Sequence, residues 1–184
     1  LADAVYDNKS AYIRPTNGNP NGFTFNNAGT RLFMTDNFSD DITQYDLTTA
    51  YDISTLVYNS VKFVVSSQEN QPKNVTFNND GTLMYIIGLQ YNTAFQYTLT
   101  TGFDVSTASY SNKSFNVSTQ NSNAKALKFN NDGTKMYSFF RDLDQYTLST
   151  AFDVSTASYD NVLFNTQSET PSSADFFFST DGLK

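Results

Sequence analysis

Apolar positions fall in short runs along this chain, divided by clusters of Asn, Asp, Gly, Ser and Thr. Short apolar or alternating runs bounded by turn residues read as β-strands. In the middle of the chain, Asn74 to Phe77 is a short alternating run, strand A. Asn78-Asn79-Asp80-Gly81 is a tight turn, because these residues tolerate positive φ. Leu83 to Ile87 is a continuous apolar run, strand B, which fits a sheet covered on both faces. Gly88 to Thr93 is a loop, Ala94 to Leu99 is strand C, and Tyr110 to Val117 is strand D after a polar connection. Helix is expected to be nearly absent.

The same pattern returns along the chain. Aromatic-Asn-Asn-x-Gly-Thr occurs at Phe25–Thr30, Phe77–Thr82 and Phe129–Thr134, with Gly29, Gly81 and Gly133 in the turns. A degenerate copy starts at Phe178, so the Phe-to-Phe spacings are 52, 52 and 49. Gln-Tyr-x-Leu recurs with Gln44, Gln96 and Gln145. Aromatic-Asp-aliphatic-Ser-Thr recurs with Asp52, Asp104 and Asp153. The interval from the aromatic after Gly-Thr to the Tyr of the second phrase is 12, 12 and then 9. The three missing residues therefore fall between Tyr137 and Tyr146, in the loop between strands B and C around Arg141. Deletions concentrate in exposed loop tips.

Four strands in a unit of about 50 residues is the blade of a β-propeller. The fold class is thus all-β, built of four-stranded antiparallel blades with the A strands nearest a central axis. Residues 1–184 read as one propeller segment. Residues 1–12 are the end of a preceding blade, with a D strand over Tyr6 to Tyr12. Residues 13–65, 66–117 and 118–165 are three blades, and 166–184 begin another. Propellers close with typically about four to eight blades. The expectation is an open segment of a larger propeller, completed by further repeats or by association of copies.

Composition narrows function by exclusion. The 18 Asp and Glu outweigh 11 Lys and Arg, a net charge of -7. That argues against nucleic-acid and anionic-membrane surfaces, which need clustered cations. With no Cys and no His, disulfides, thiolate metal sites, His-based triads and the usual zinc ligands are absent. Asn, Ser and Thr make up 64 of the 184 residues. No run of residues is long and apolar enough to span a membrane.

The run Phe-x-x-Asp-Gly-Thr-x-Met-Tyr followed by Gln-Tyr-x-Leu resembles the blade repeats of lactonase-like and WD40-like propellers. The extended Asp-aliphatic-Ser-Thr-Ala-Ser-Tyr segment resembles repeats of surface and virion proteins of bacteria and their phages. The resemblance covers almost the whole chain and implies a fold. It does not choose an activity, since propellers host many. Two functions compete. The first is a non-enzymatic extracellular scaffold or adhesin in a cell-surface, virion or phage-tail assembly. The second is a lactonase-like hydrolase with its site mostly on other blades.

The polar residues that recur in the repeats serve their own turns and strands. Asp80, Asp132 and Asp181 sit in five-residue turns, too few ligands for a calcium loop. Asp52, Asp104 and Asp153 read as caps accepting backbone N–H groups. Gln44, Gln96 and Gln145 read as buried amides bonded to a neighbouring strand or blade. Asp40-Asp41 and Asp142 with Asp144 make poor acid–base pairs. No catalytic residue, metal ligand or cofactor is assigned. The B–C loops do not repeat, and variable loops on a rigid scaffold are where binding usually lives. The candidate binding edge is therefore Phe38 and Tyr91 with Asn37, Asp40, Asp41 and Asn92. Its expected partners are a glycan, a surface protein, a neighbouring subunit or other repeats of the same chain.

Overall fold

The computed structural model describes residues 5–13, 18–166 and 175–178. It contains three four-stranded antiparallel sheets, each in sequence order, and among the described residues no α-helix. The first sheet is β1 (Pro20–Phe25), β2 (Arg31–Asp36), β3 (Asp41–Leu47) and β4 (Leu56–Val64). The second is β5 (Pro72–Phe77), β6 (Leu83–Gly88), β7 (Thr93–Leu99) and β8 (Ala108–Asn116). The third is β9 (Ala126–Phe129), β10 (Lys135–Phe140), β11 (Asp142–Leu148) and β12 (Ala157–Asn165). These are propeller blades. The first strands lie side by side, β1 against β5 and β5 against β9, as strands around an axis do.

The repeated phrases act locally first. Gly81 has φ of +74°, the left-handed region that costs a side chain. Its N–H donates to the Asn78 carbonyl, and Asn78 Oδ1 accepts from Leu83 N–H at 2.9 Å, closing the A–B turn. Asp80 Oδ1 accepts from both the N–H and the hydroxyl of Thr82, so this carboxylate is consumed by its own turn. Asp132 does the same with Thr134. Asp52, Asp104 and Asp153 each accept from the N–H two residues on, capping a three-residue 3₁₀ turn that feeds the fourth strand.

The phrases also join one blade to the next. Gln44 Oε1 accepts from Val105 N–H at 3.2 Å, and Gln96 Oε1 from Val154 N–H at 3.1 Å. Each Gln thus satisfies a buried N–H in the turn of the following blade. Gln145, with no following turn among the described residues, donates instead to Asp160 in its own sheet. Asn27 donates to the Asn79 carbonyl and Asn79 to that of Asn131, both at 2.6 Å, a ladder along the A–B turns. Between the first two sheets Phe33 and Ile42 meet Met84, Ile86 and Tyr97. Between the second and third, Tyr85 and Ile87 meet Leu127, Met136 and Tyr146. In the first two blades β2 and β6 are buried on both faces beyond their first residue, which explains the unbroken apolar run from Leu83 to Ile87.

The three-residue deficit lies where expected. Four residues join β2 to β3 and β6 to β7, but Arg141 alone joins β10 to β11. All four strands of that blade are retained, though β9 has four residues where β1 and β5 have six.

Two expectations need correction. Residues 5–13 contain no strand, although a D strand was expected over Tyr6 to Tyr12. A D strand pairs with the C strand of its own blade, and no such strand precedes it among these residues. The segment lies against the first blade, with Ile13 packed on the cluster of Leu32, Met34, Tyr45 and Leu47. Lys9 pairs with Asp52 at 2.7 Å, as Lys113 pairs with Asp153 at 2.6 Å. Likewise residues 175–178 form no strand, yet the Phe178 ring meets that of Tyr137 at a tilt, with centroids 4.7 Å apart. Phe77 meets Phe33, and Phe129 meets Tyr85, in the same way at 4.5 Å. Asp181 lies outside the described residues.

Candidate functional site

The B–C loops are built around one recurrent residue each. Asp40, Asn92 and Arg141 hold positive φ of 51°, 48° and 65° and close the hairpins. Their carbonyls accept from Val65, Val117 and Thr166 N–H. The residues lost in the third blade are thus the equivalents of Asn37-Phe38-Ser39 and Leu89-Gln90-Tyr91, the outward part of the loop. Phe38 is 82% exposed and Tyr91 50% exposed.

Two buried carboxylates hold those aromatics in place. Asp36, 0% exposed, ends β2. Its Oδ1 accepts from Phe38 N–H at 2.7 Å and Ser39 N–H at 3.3 Å, and the carboxylate also takes Asn19 N–H. Glu69, also 0% exposed, lies in the connection from β4 to β5. It accepts from Gln71 and Gln90 N–H at 2.8 and 3.1 Å through Oε1, and from Tyr91 N–H at 3.3 Å through Oε2. A Cβ on Gly88 would collide with the Glu69 side chain, so the glycine makes the room. Charged acceptors bonded to several amides pre-organise a loop. The exposed rings therefore sit on fixed backbone.

The other expected residues serve the loop and not its outer surface. Asp41 is buried, pairs with Lys62 at 3.0 Å and accepts from the Thr43 hydroxyl. Asn92 Oδ1 turns to Ala124 N–H of the next blade. Asn37 donates its N–H to the Asn19 carbonyl, and its Oδ1 is buried without a hydrogen-bond partner among the described residues. Asp40's carboxyl lies above its ordinary range, through burial first and then the charges of Asp41 and Asp36. Sequence reasoning missed Asp36 and Glu69. Their signal was present: Glu69 is one of two Glu in the chain, and neither position repeats.

A concavity of about 420 Å³ opens beside the inner strands at this end, reached by Leu89. Asn21, Lys73 and Lys125, one per blade, stand at equivalent positions of its wall. Lys73 Nζ donates to Asn21 Oδ1 at 3.0 Å, and burial and Lys125 lower its pKa. Among the described residues no three Asp or Glu gather as a metal cluster, and no helix is long and apolar enough to cross a membrane.

No family model matches the sequence, and no curated protein matches it. Solved structures do. A Bacteroides uniformis protein assigned as a 6-phosphogluconolactonase aligns with 98% of this chain and 51% of its own, at TM-score 0.62 and 14% identity. A Lactobacillus plantarum protein aligns over 80% and 42%, at TM-score 0.55 and 16% identity. The periplasmic gluconolactonase of Pseudomonas aeruginosa aligns over 79% and 39%, at TM-score 0.52 and 11% identity. The fold is that of a β-propeller. The chain spans about half or less of these structures' length, and the likeness extends to architecture alone.

Proposed function

We propose that this chain is a non-enzymatic binding segment of an extracellular β-propeller, set in a cell-surface or virion assembly. The observation that carries the reading is the pair of exposed aromatics, Phe38 and Tyr91, on loops pinned from beneath by Asp36 and Glu69. Rigid presentation lowers the ordering cost of binding. An aromatic face stacks on a sugar ring, and the Tyr91 hydroxyl both donates and accepts. Interface cores of protein partners favour the same residues. The excess of acid favours a neutral or basic partner. The acidic, Asn/Ser/Thr-rich repeat without Cys or His supports the extracellular setting. A glycan array and a pull-down with Phe38→Ala and Tyr91→Ala test it. Loss of capture in both variants is expected. Parental capture by both, with loss on changing the opposite A–B turn edge, rejects the loop assignment.

One observation favours the second reading, a lactonase-like hydrolase. Lys73 and Lys125, against the single carboxylate of Asp175, leave the lining of the axial concavity with an excess of positive charge that suits an anionic sugar acid. Turnover of a sugar lactone that falls in Lys73→Ala would move the function there.

A further inference from the structure

At the start of β11 the third blade departs from the other two. Asp142 and Asp144 lie on one face of this strand, where the first blade has Asp41 and Thr43 and the second has Thr93 and Phe95. Asp144 is 0% exposed. Neither of its carboxylate oxygens has a hydrogen-bond partner among the described residues, and Asp142 Oδ1 is buried and equally bare. Asn121 and Tyr159 approach Asp144 without reaching hydrogen-bond geometry. Ser138, opposite Asp144 in the ladder, turns its hydroxyl to Tyr146.

The first blade shows what such a corner requires. There Asp41 is matched by Lys62, which stands opposite Thr43 on β4. The residue at the Lys62 position of the third blade is Leu163, opposite Asp144. The third blade therefore carries two carboxylates at this corner and no lysine at that position. Glu69 is also replaced, by Asn121, so three carboxylates do not crowd together. Burying an unpaired carboxylate is costly enough that a counter-charge or a proton must accompany it.

We infer that the Asp142–Asp144 corner between the second and third blades binds a hard divalent cation of the calcium class, in the role Lys62 plays in the first blade. Side chains two apart on a strand are about 7 Å apart at the backbone, close enough for both carboxylates to reach one ion. Every candidate ligand is oxygen, which selects calcium or magnesium over zinc or copper. The irregular frame, with Tyr159 and water to complete the shell, suits the flexible geometry of calcium better than the strict octahedron of magnesium. Asp142 is only half-buried at the strand's first residue, so the corner opens to solvent there. This departs from the expectation that the chain holds no metal.

The test is thermal unfolding of the 184-residue chain in EGTA and in added CaCl₂, with MgCl₂ as comparison. At a hundredfold excess over Kd the midpoint is expected to rise by about 5–10 °C. Asp144→Asn is expected to lose that shift while unfolding in EGTA no lower than the parent. Leu163→Lys is expected to do likewise, because it restores the lysine of the first blade, and it serves if Asp144→Asn does not fold. Calorimetric titration with CaCl₂ reads binding directly. A parent that shows neither heat nor shift overturns the inference, and so does an unchanged shift in Leu163→Lys. Capture through Phe38 and Tyr91 is expected to survive both variants, which separates this site from the loop edge.

Discussion

The ring of Phe103 lies directly on Gly81, occupying the space a Cβ there would need. The Phe103 N–H also donates to the Gly81 carbonyl at 3.0 Å. The same pairing joins Gly29 to Tyr51 and Gly133 to Phe152, and each of the three aromatics holds a φ near +60°. Two phrases 22 residues apart in the first two blades and 19 in the third are thus one structural unit: a left-handed turn and the aromatic lid that covers it. Gly81→Ala is expected to destabilise through both strain and collision, by about 2–4 kcal/mol. Phe103→Ala is expected to cost about 3 kcal/mol. The double variant is expected to cost less than the sum, because each change removes what the other opposes. Urea unfolding of the four proteins measures this, and strict additivity would mean that the two residues are independent.

The clamp from Gln44 to Val105 predicts a difference along the chain. Gln44→Leu and Gln96→Leu each strand a buried N–H in the next blade and are expected to cost about 1–3 kcal/mol. Gln145→Leu leaves no such N–H among the described residues and is expected to cost less. Equal losses at all three positions would show that the amide works within its own blade.

Glu69 predicts an effect on the loop that is separable from the fold. Glu69→Gln keeps the volume but removes the charged acceptor shared by Gln71, Gln90 and Tyr91 N–H. Hydrogen exchange at Gln90 and Tyr91 is expected to accelerate while the amides of β6 and β7 stay protected. Capture through Tyr91 is expected to weaken with it. If exchange spreads through the whole blade, Glu69 supports the sheet and not the loop.

Repeat spacing and turn chemistry made the blades legible before any coordinates, because both are local. Asn78-Asn79-Asp80-Gly81 names its own turn, and the 12, 12, 9 intervals point to the Arg141 hairpin. The loop aromatics were legible for the opposite reason, since Phe38 and Tyr91 break the repeat. Long-range partners were not. Nothing near Glu69 in sequence reveals that it will bond to an amide 22 residues away, and nothing near Gly88 shows that its missing side chain leaves room for it. Residues 5–13 carry a strand-like pattern, but a strand also needs a partner, which pattern does not supply.

The last expectation concerns acid. Asp160 lies in the bulge of β12, where Lys135 Nζ at 2.8 Å, the Thr147 hydroxyl at 2.6 Å and Gln145 Nε2 at 2.7 Å converge on its carboxylate. Burial alone would raise this carboxyl, but the lysine and the two neutral donors outweigh it and hold it down at about 2. Its ordinary value is 3.8. A depressed folded value means that the charged form is bound more tightly in the folded state, so its contribution is complete above the unfolded pKa and disappears as pH falls through the folded one. Stability is therefore expected to decline between about pH 5 and pH 2, and the Asp160→Asn variant to show a shallower decline from a lower starting point. The corner at Asp144 pulls the other way. A carboxyl raised by burial favours the protonated fold, so in EGTA its penalty is relieved as pH falls. Urea midpoints of parent, Asp160→Asn and Asp144→Asn across that range separate the two. A parent-like slope in Asp160→Asn would place the acid sensitivity at another carboxylate.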